Sequence, residues 1–479
     1  MNRIILLCCA LLSFGSLYAQ SGYSIELTLK PYKQEKVYLG YYYGDKKAIA
    51  DSVILDVNSR GVFKAAKPLQ GGIYFVVSPK KEILFELLID KQQRFSIQAD
   101  TAKLPSGVVF SNSADNLSFQ RYTSFANGLS QIASKANQDL AKARTAKDSA
   151  SADAQLKQLG VALKRYRDSI MKTAPQTILA ALFRAMDEPE VPPAAKHPGG
   201  KYDSNFAYRY FKSHYWDGVS FDDDRLIRTP FFESKLSRYY RDLVPPSPDS
   251  IIREVDRMIL YARPSNEMYK FVMVHFVQKY INPEYMGQDA VFVHLFEKYI
   301  NTGQTDFFTE QYKDFMTRRA YSIMANLIGR PAADLDMVDS LENPRSLFSI
   351  KSDLTVVCFW DPTCSHCKEV VPKLDSIYKN KWKERGVVIY GVMTDGGKDN
   401  WIKFIKDHKM NDWIHVYELP TTAKKISEEA KPSYRQLYDV YQTPMLYLLD
   451  KEKRIIAKKL SLEQLDEVIS LKVKNSATR

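Results

Sequence analysis

Between Tyr23 and Ile89 the chain alternates apolar and polar residues in short runs separated by turn residues: Tyr23-Ser-Ile-Glu-Leu-Thr-Leu29, Lys36 to Tyr43, Asp51 to Asp56, Gly72 to Ser78 and Ile83 to Ile89. A period of two with β-branched and aromatic residues predicts half-buried strands, and their even spacing predicts an antiparallel sandwich. The Tyr41-Tyr42-Tyr43 cluster fits this reading, since aromatic residues are good strand formers. From about Asn116 the period becomes helical and stays so to about Ile328, broken at proline-rich joints at Glu188 to Pro198, Pro245 to Pro248 and Pro264. Lys135 to Leu163, rich in Ala, Lys, Asp and Gln, predicts a long exposed helix or a helical hairpin.

After Pro331 and Asn343-Pro344 strands and helices alternate. Asp353 to Trp360 is a buried-strand run, Lys368 to Tyr378 a helix, Val387 to Thr394 a second apolar strand and Asp399 to His408 an amphipathic helix. Trp413 to Leu419, Pro432 to Tyr441, Met445 to Leu449, Arg454 to Leu460 and Leu462 to Val473 continue the series, ending in a hairpin and a closing helix. The expected architecture is multidomain: a signal peptide over 1–19, a β-rich domain over 20–115, an all-α domain over 116–325 and an α/β domain over 326–479. At 479 residues the chain is long enough for about three domains.

The signal-peptide reading rests on the apolar run Ile4 to Leu12 behind Arg3, too short to span a bilayer, with Ala19 before a cut that leaves Gln20 first. Cys8 and Cys9 would leave with it. They lie near the start of the apolar core, whereas a lipid-anchor signal needs a cysteine at its end, so the mature chain is expected to have no stable membrane anchor. The net charge of +12 is mixed in sign along the chain, which describes a solvated basic surface better than a nucleic-acid patch.

Of five cysteines, Cys358, Cys364 and Cys367 then remain. So few in a large chain do not staple a fold, and in an oxidising compartment one close pair points to redox chemistry. Cys364-Ser365-His366-Cys367 follows the strand ending at Trp360 and opens the next helix. A thiolate there faces unpaired backbone N–H groups, which lower its pKa, so Cys364 is the candidate nucleophile and Cys367, one turn deeper, the candidate resolving thiol of a redox-active disulfide. His366 is a candidate to stabilise the Cys364 thiolate with its imidazole. Pro372 falls within the helix, where it would kink it, and a cis bond at Thr443-Pro444 would bring backbone against the cysteine pair.

Other chemistries find less support. A structural zinc site needs a second cysteine pair, and Cys358 in a buried strand reads as a core residue. A peroxiredoxin would need threonine three residues before its cysteine and proline seven before, where this chain has Asp361 and Val357. Asp395-Gly-Gly-Lys398 lacks the upstream glycine and the Ser or Thr of a phosphate loop, so nucleotide chemistry has no motif. The acidic run Asp222 to Asp224 lacks calcium-loop spacing and reads as a helix start; His275 and His294, on apolar helices without a second histidine four residues away, read as core residues. No metal or cofactor is expected.

The run Phe359-Trp360-Asp-Pro-Thr-Cys364-Ser-His-Cys367-Lys-Glu-Val-Val-Pro372, with Thr443-Pro444 and Leu448 to Ile455, resembles the thioredoxin fold, and most closely the periplasmic thiol-disulfide oxidoreductases of the TlpA and ResA type. The resemblance covers about 326–475. It implies catalysis by Cys364 and Cys367 through mixed disulfides with protein thiols or disulfides of the cell envelope, and a partner groove lined by Thr443 and Pro444. It also implies supporting roles for Trp360 and for a buried acid, whose nearest positional match is Asp395. Thr363 stands where the family usually has tryptophan, and Ser-His replaces Gly-Pro. The preceding segments resemble two modules of unknown function, over about 21–112 and 116–325. A rival reading makes the chain an envelope binding or scaffold protein in which the thioredoxin domain is accessory. The upstream redox partner and the direction of electron flow are not legible.

Overall fold

The computed structural model describes residues 22–142 and 146–477. The signal-peptide reading over 1–19, with Cys8 and Cys9, lies outside the described residues. The described residues fall into two compact units, one running through Val244 and taking in Leu260–Phe271, the other comprising Pro245–Ile259 and Val272 onward. The helical stretch is therefore divided between them.

In the first unit, β1 (Tyr23–Lys30), β4 (Arg60–Ala65), β7 (Arg94–Asp100) and β8 (Val109–Ser111) form one sheet in the order β4-β1-β7-β8. The second sheet, β2 (Lys36–Tyr43), β3 (Lys46–Ile54), β5 (Gly72–Val77) and β6 (Ile83–Ile89), has the order β3-β2-β5-β6. The alternation in β1 buries Tyr23, Ile25, Leu27 and Leu29, which share one core with Val37, Leu39, Val76, Leu87, Phe95 and Ile97. The two sheets thus form a sandwich. One pair departs from the antiparallel expectation: β1 runs parallel to β7, with Ile25 opposite Phe95.

The helix α1 (Ala114–Lys142) follows, and its buried Asn116 binds the edge of β6, donating to Leu88 O at 2.9 Å and accepting from Leu88 N at 2.7 Å. α1 and α2 (Ala146–Thr173) make a hairpin held by Phe125 stacked on Tyr166, with ring centroids 4.8 Å apart. Next come α3 (Ile178–Met186), α4 (Ser204–His214) and α5 (Pro230–Asp242). The acidic run caps a short turn rather than opening a long helix: Asp223 accepts from Arg225 N at 3.2 Å and its carboxylate holds the Arg225 guanidinium. α6 (Pro248–Ala262) and α7 (Asn266–Ile281) each contribute to both units.

The second unit continues with α8 (Asp289–Leu295) and α9 (Glu310–Met324) before its sheet begins. Its elements are β9 (Leu354–Trp360), α10 (Ser365–Ile377), β10 (Val387–Met393), α11 (Lys398–Asp407), β11 (Ile414–Tyr417), α12 (Pro420–Glu428), α13 (Tyr434–Leu437), β12 (Met445–Leu449), β13 (Ile455–Lys458) and α14 (Leu462–Ala477). The sheet order is β11-β10-β9-β12-β13, with β9, β10 and β11 parallel and β12 and β13 antiparallel. All seven residues of central β9 are buried. Val356, Cys358 and Trp360 face a core shared with Val371, Leu374, Trp401 and Leu465, while Val357 and Phe359 face one shared with Tyr434, Tyr438 and Val440. Among the described residues no helix is long and apolar enough to cross a membrane.

Helices that precede the sheet are joined to it by a buried charge. Lys458 Nζ on β13 lies 2.6 Å from Asp289 Oδ2 on α8 and donates to Asn326 O and Oδ1 at 2.8 and 2.7 Å, with Lys458 and Asp289 only 2% and 7% exposed. Burial pulls the Lys458 ammonium below its ordinary pKa, and the Asp289 charge opposes that pull. Removing one partner strands the other's charge, so Lys458→Ala is expected to cost about 3–5 kcal/mol. Lys458→Met combined with Asp289→Leu is expected to recover most of that loss. Urea unfolding followed by tryptophan fluorescence measures both, because Trp360, Trp382, Trp401 and Trp413 all lie in this unit.

Candidate active site

The loop leaving the C-terminal end of β9 carries the cysteines. Trp360 O accepts from Thr394 N at 2.9 Å and from Thr394 Oγ1 at 3.2 Å, which extends the β9–β10 register one residue beyond the strands. The chain then turns on Asp361, whose Oδ1 accepts from both Thr363 N and Thr363 Oγ1 at 2.7 Å. An aspartate closing its own turn in this way is a local device for ending a strand sharply. Gly396 packs against this turn with φ +88°, and a Cβ there would lie 2.5 Å from Asp361 Oδ1. Glycine is required on both counts.

Cys364 is the N-cap of α10, with φ −66° and ψ 128°, and its carbonyl accepts the first helical hydrogen bond from Lys368 N at 3.1 Å. An N-cap side chain faces the N–H groups of the second and third helical residues, here His366 and Cys367. The neutral thiol makes no capping hydrogen bond. The anion is favoured all the same: the main-chain N–H of Cys367 first, then that of His366 and the Thr443 side chain, hold Cys364 below its ordinary value of 9.0 against the opposing effect of desolvation. Cys364 Sγ also donates to Thr443 O at 3.8 Å.

Cys367, in the first turn of α10, points into the core with Val371 and Leu374 and is fully buried. Burial pushes its thiol up to about 11, although Asp361 N, donating to Sγ at 3.5 Å, works the other way. Pro372 lies inside α10 and withholds the N–H that Lys368 O would otherwise receive. All three cysteines of the described residues are free thiols. Cys358 lies within the core that Cys367 enters, and burial raises its thiol well above the ordinary value.

Thr443 and Pro444 are thus brought to the cysteines from a site 79 residues along the chain, and the bond between them is cis. The other sequence candidates lie elsewhere. Trp360 is wholly buried against Phe404, with ring centroids 5.2 Å apart, so it packs the floor beneath the loop and presents no surface to a partner. The His366 imidazole is exposed and hydrogen-bonds neither sulfur; the residue acts on Cys364 through its main-chain N–H. Asp395 is not a buried acid: its carboxylate is 62% exposed and pairs with Arg435 Nη2 at 2.7 Å. Asp361 is the contributor that the reading of the sequence passed over, and the signal was an Asp-x-Thr sequence at the end of an apolar strand. His294, expected in the core, is only half-buried, and its Nε2 lies 2.8 Å from Asp256 Oδ1.

Residues 352–455 match a family described as thioredoxin-like. The C-terminal region is a thioredoxin-like domain. Residues 134–319 match the Domain of unknown function (DUF5106). Among solved structures, a thioredoxin-like protein from Bacteroides caccae is similar over 60% of this chain and 98% of its own, at 20% identity and a TM-score of 0.46. A domain of a possible thiol-disulfide isomerase from Cytophaga hutchinsonii is similar over 32% of this chain and 97% of its own, at 31% identity and a TM-score of 0.28. A thiol:disulfide interchange protein from Bacteroides sp. is similar over 32% and 93%, at 30% identity and a TM-score of 0.27. No curated protein matches the chain.

The thiols of Cys364 and Cys367 should titrate far apart. In Cys367→Ser protein, the rate of Cys364 alkylation by iodoacetamide is expected to reach half its maximum below pH 9. In Cys364→Ser protein, Cys367, at about 11, is ionised to only about one part in a thousand at pH 8 and should label correspondingly slowly. His366→Ala should leave the Cys364 midpoint in place, because the main-chain N–H survives; a rise of about one unit, worth about 1.4 kcal/mol, would assign the effect to the imidazole.

Proposed function

We propose that this chain is a thiol-disulfide oxidoreductase of the cell envelope, exchanging disulfides with protein partners through Cys364 and Cys367. The observation that carries the reading is the unequal setting of the two sulfurs. Cys364 is partly exposed and biased toward the thiolate, whereas Cys367 is buried and biased toward the thiol. The thiolate is the nucleophile in disulfide exchange, so the accessible, ionised sulfur attacks and the buried one resolves.

In the first step the Cys364 thiolate attacks one sulfur of the partner's disulfide. A Cys364–partner bond forms as the partner's S–S bond breaks, and the other partner sulfur leaves as a thiolate. In the second step Cys367 gives up its proton to that leaving thiolate and attacks Cys364 Sγ, expelling the remaining partner sulfur. The partner has then gained two electrons, and the pair is left as a Cys364–Cys367 disulfide. A thiol donor reduces the pair again by the same exchange, and with an oxidised pair the sequence runs backwards to oxidise a partner dithiol. A favoured thiolate stabilises the reduced pair and makes it the more oxidising. The location proposed is the periplasm, reached through a cleavable signal that leaves Gln20 as the first residue.

Replacing the resolving sulfur should arrest the reaction at the mixed disulfide. Cys367→Ser is expected to accumulate covalent partner adducts visible on non-reducing gels, and Cys364→Ser to accumulate none; the reverse pattern would exchange the two roles. Wild-type protein should reduce insulin disulfides, and the double variant should not. The measured potential of the pair decides the direction, with about −120 mV marking an oxidant and about −270 mV a reductant.

A further inference from the structure

Beside Thr443 and Pro444 lies a cleft of about 1090 Å³, larger than most small-ligand pockets at about 300–1,000 Å³. Gln442 and Met445, which flank the cis bond, form one end of it, and α9 forms a wall. Since Thr443 O is 3.8 Å from Cys364 Sγ, a polypeptide bonded to that sulfur needs only a few residues, at about 3.3 Å each when extended, to enter the cleft.

Its lining has a definite chemical character. Phe315, Tyr321 and Tyr441 are 43%, 62% and 73% exposed, three large aromatic side chains open to solvent around one depression. Arg318, Arg319, Lys431 and Lys459 supply positive charge; Lys431 is paired with Glu429 at 2.6 Å, and the one lining carboxylate, Asp439, is buried and bound by Arg319 and Lys459, which leaves Arg318 as the cation without an ion pair among these four. Asp439 is held there with φ +52°, a left-handed conformation uncommon for a residue with a Cβ. Asp439 thereby positions Arg319, which also donates to Asn282 Oδ1 at 3.0 Å. Arg318 is exposed and has no ion-pair partner among the described residues. It also lines, with Phe315, Phe307 and Tyr312, a neighbouring cavity of about 660 Å³, so the surface continues along α9. Aromatic and arginine side chains grouped around a depression are the usual anchors of protein recognition.

We infer that this cleft binds an extended segment of the substrate protein next to its reacting cysteine, and that it selects segments carrying acidic and aromatic residues. The inference rests on Cys364 being the attacking sulfur. It gives α9, which precedes the thioredoxin-like domain, a part in choosing the substrate, with Arg318 and Tyr321 as specificity residues.

Two synthetic peptides test it on the reduced full chain. Each bears one cysteine as a mixed disulfide with nitrothiobenzoate, flanked on both sides by Glu-Phe-Glu in one peptide and Lys-Phe-Lys in the other. Attack by the Cys364 thiolate on the peptide sulfur breaks its bond to the reporter and releases the coloured thiolate. The acidic peptide is expected to react about fivefold faster, the size of one partly exposed ion pair, and the preference should collapse in high salt. Arg318→Glu should bring the ratio to one or below. With a third, Glu-Ala-Glu, peptide as reference, the Glu-Phe-Glu peptide should react faster in wild type, and Tyr321→Ala should remove that advantage of the ring. Equal rates for acidic and basic peptides, with the bare dinitro reporter disulfide still attacked, would overturn the cleft and spare Cys364. Failure of the bare reporter to react would overturn both. A concentration-dependent dimer dissolved by Arg318→Glu would put a second copy of the chain in the cleft and overturn the proposal as well.

Discussion

Everything at the candidate site depends on β9 being buried on both faces. A strand with no polar outlet along its length must lie between neighbours that satisfy its hydrogen bonds and cover both of its surfaces, and here β10 and β12 do the first and two separate cores the second. Polar chemistry is then confined to the strand's end. The chain reaches solvent only after Trp360, turns on Asp361 and enters α10 at Cys364, so the position of the first sulfur is set by the length of a hydrophobic run. The same burial sets the second sulfur, because one helical turn beyond the cap the side chain faces back into the core of β9.

Two thiols three residues apart in the same turn are therefore given opposite electrostatic settings without any charged side chain. Main-chain N–H groups at the start of α10 favour the Cys364 anion, and desolvation disfavours the Cys367 anion. The acid and the imidazole that the resemblance and the motif suggested are both directed elsewhere, Asp395 to Arg435 and His366 to solvent. The division of labour rests on backbone donors, which a substitution at His366 cannot remove. The preceding helices are tied to this domain through the buried Lys458–Asp289 pair and through Arg319 on Asp439, contacts within one compact unit that also place α9 at the edge of the cleft.

Elements with a strong local signal were legible: the alternating β1, the wholly buried β9, the mostly apolar β10 and the amphipathic α11 all lie within a residue or two of their expected bounds. β4, β7 and β8 were not read as strands. Arg94-Phe-Ser-Ile-Gln-Ala-Asp100 alternates as β1 does and buries Phe95, Ile97 and Ala99, so its signal was present and passed over, whereas Arg60-Gly-Val-Phe-Lys-Ala65 buries only Phe63 and becomes a strand by pairing with β1. That partner is remote in sequence, so the parallel β1–β7 pair leaves no mark on local periodicity. α12 was missed for a like reason, since no residue of it is fully buried and no apolar stripe announces it.

What the sequence by itself determined is the joint: an apolar strand followed by Asp-Pro-Thr and Cys364-x-x-Cys367 places one thiol at a helix cap and the next a turn inside, because helical geometry is local and spacing alone decides it. Only the tertiary structure decided what meets those sulfurs. It brought Thr443, 79 residues beyond Cys364, to both of them, turned Trp360 into the floor of the loop, left Asp395 in solvent and laid α9 along the cleft beside Met445. Such contacts follow from the order of strands in the sheet and from the packing of its two faces, and neither is encoded in the spacing of residues within any one segment.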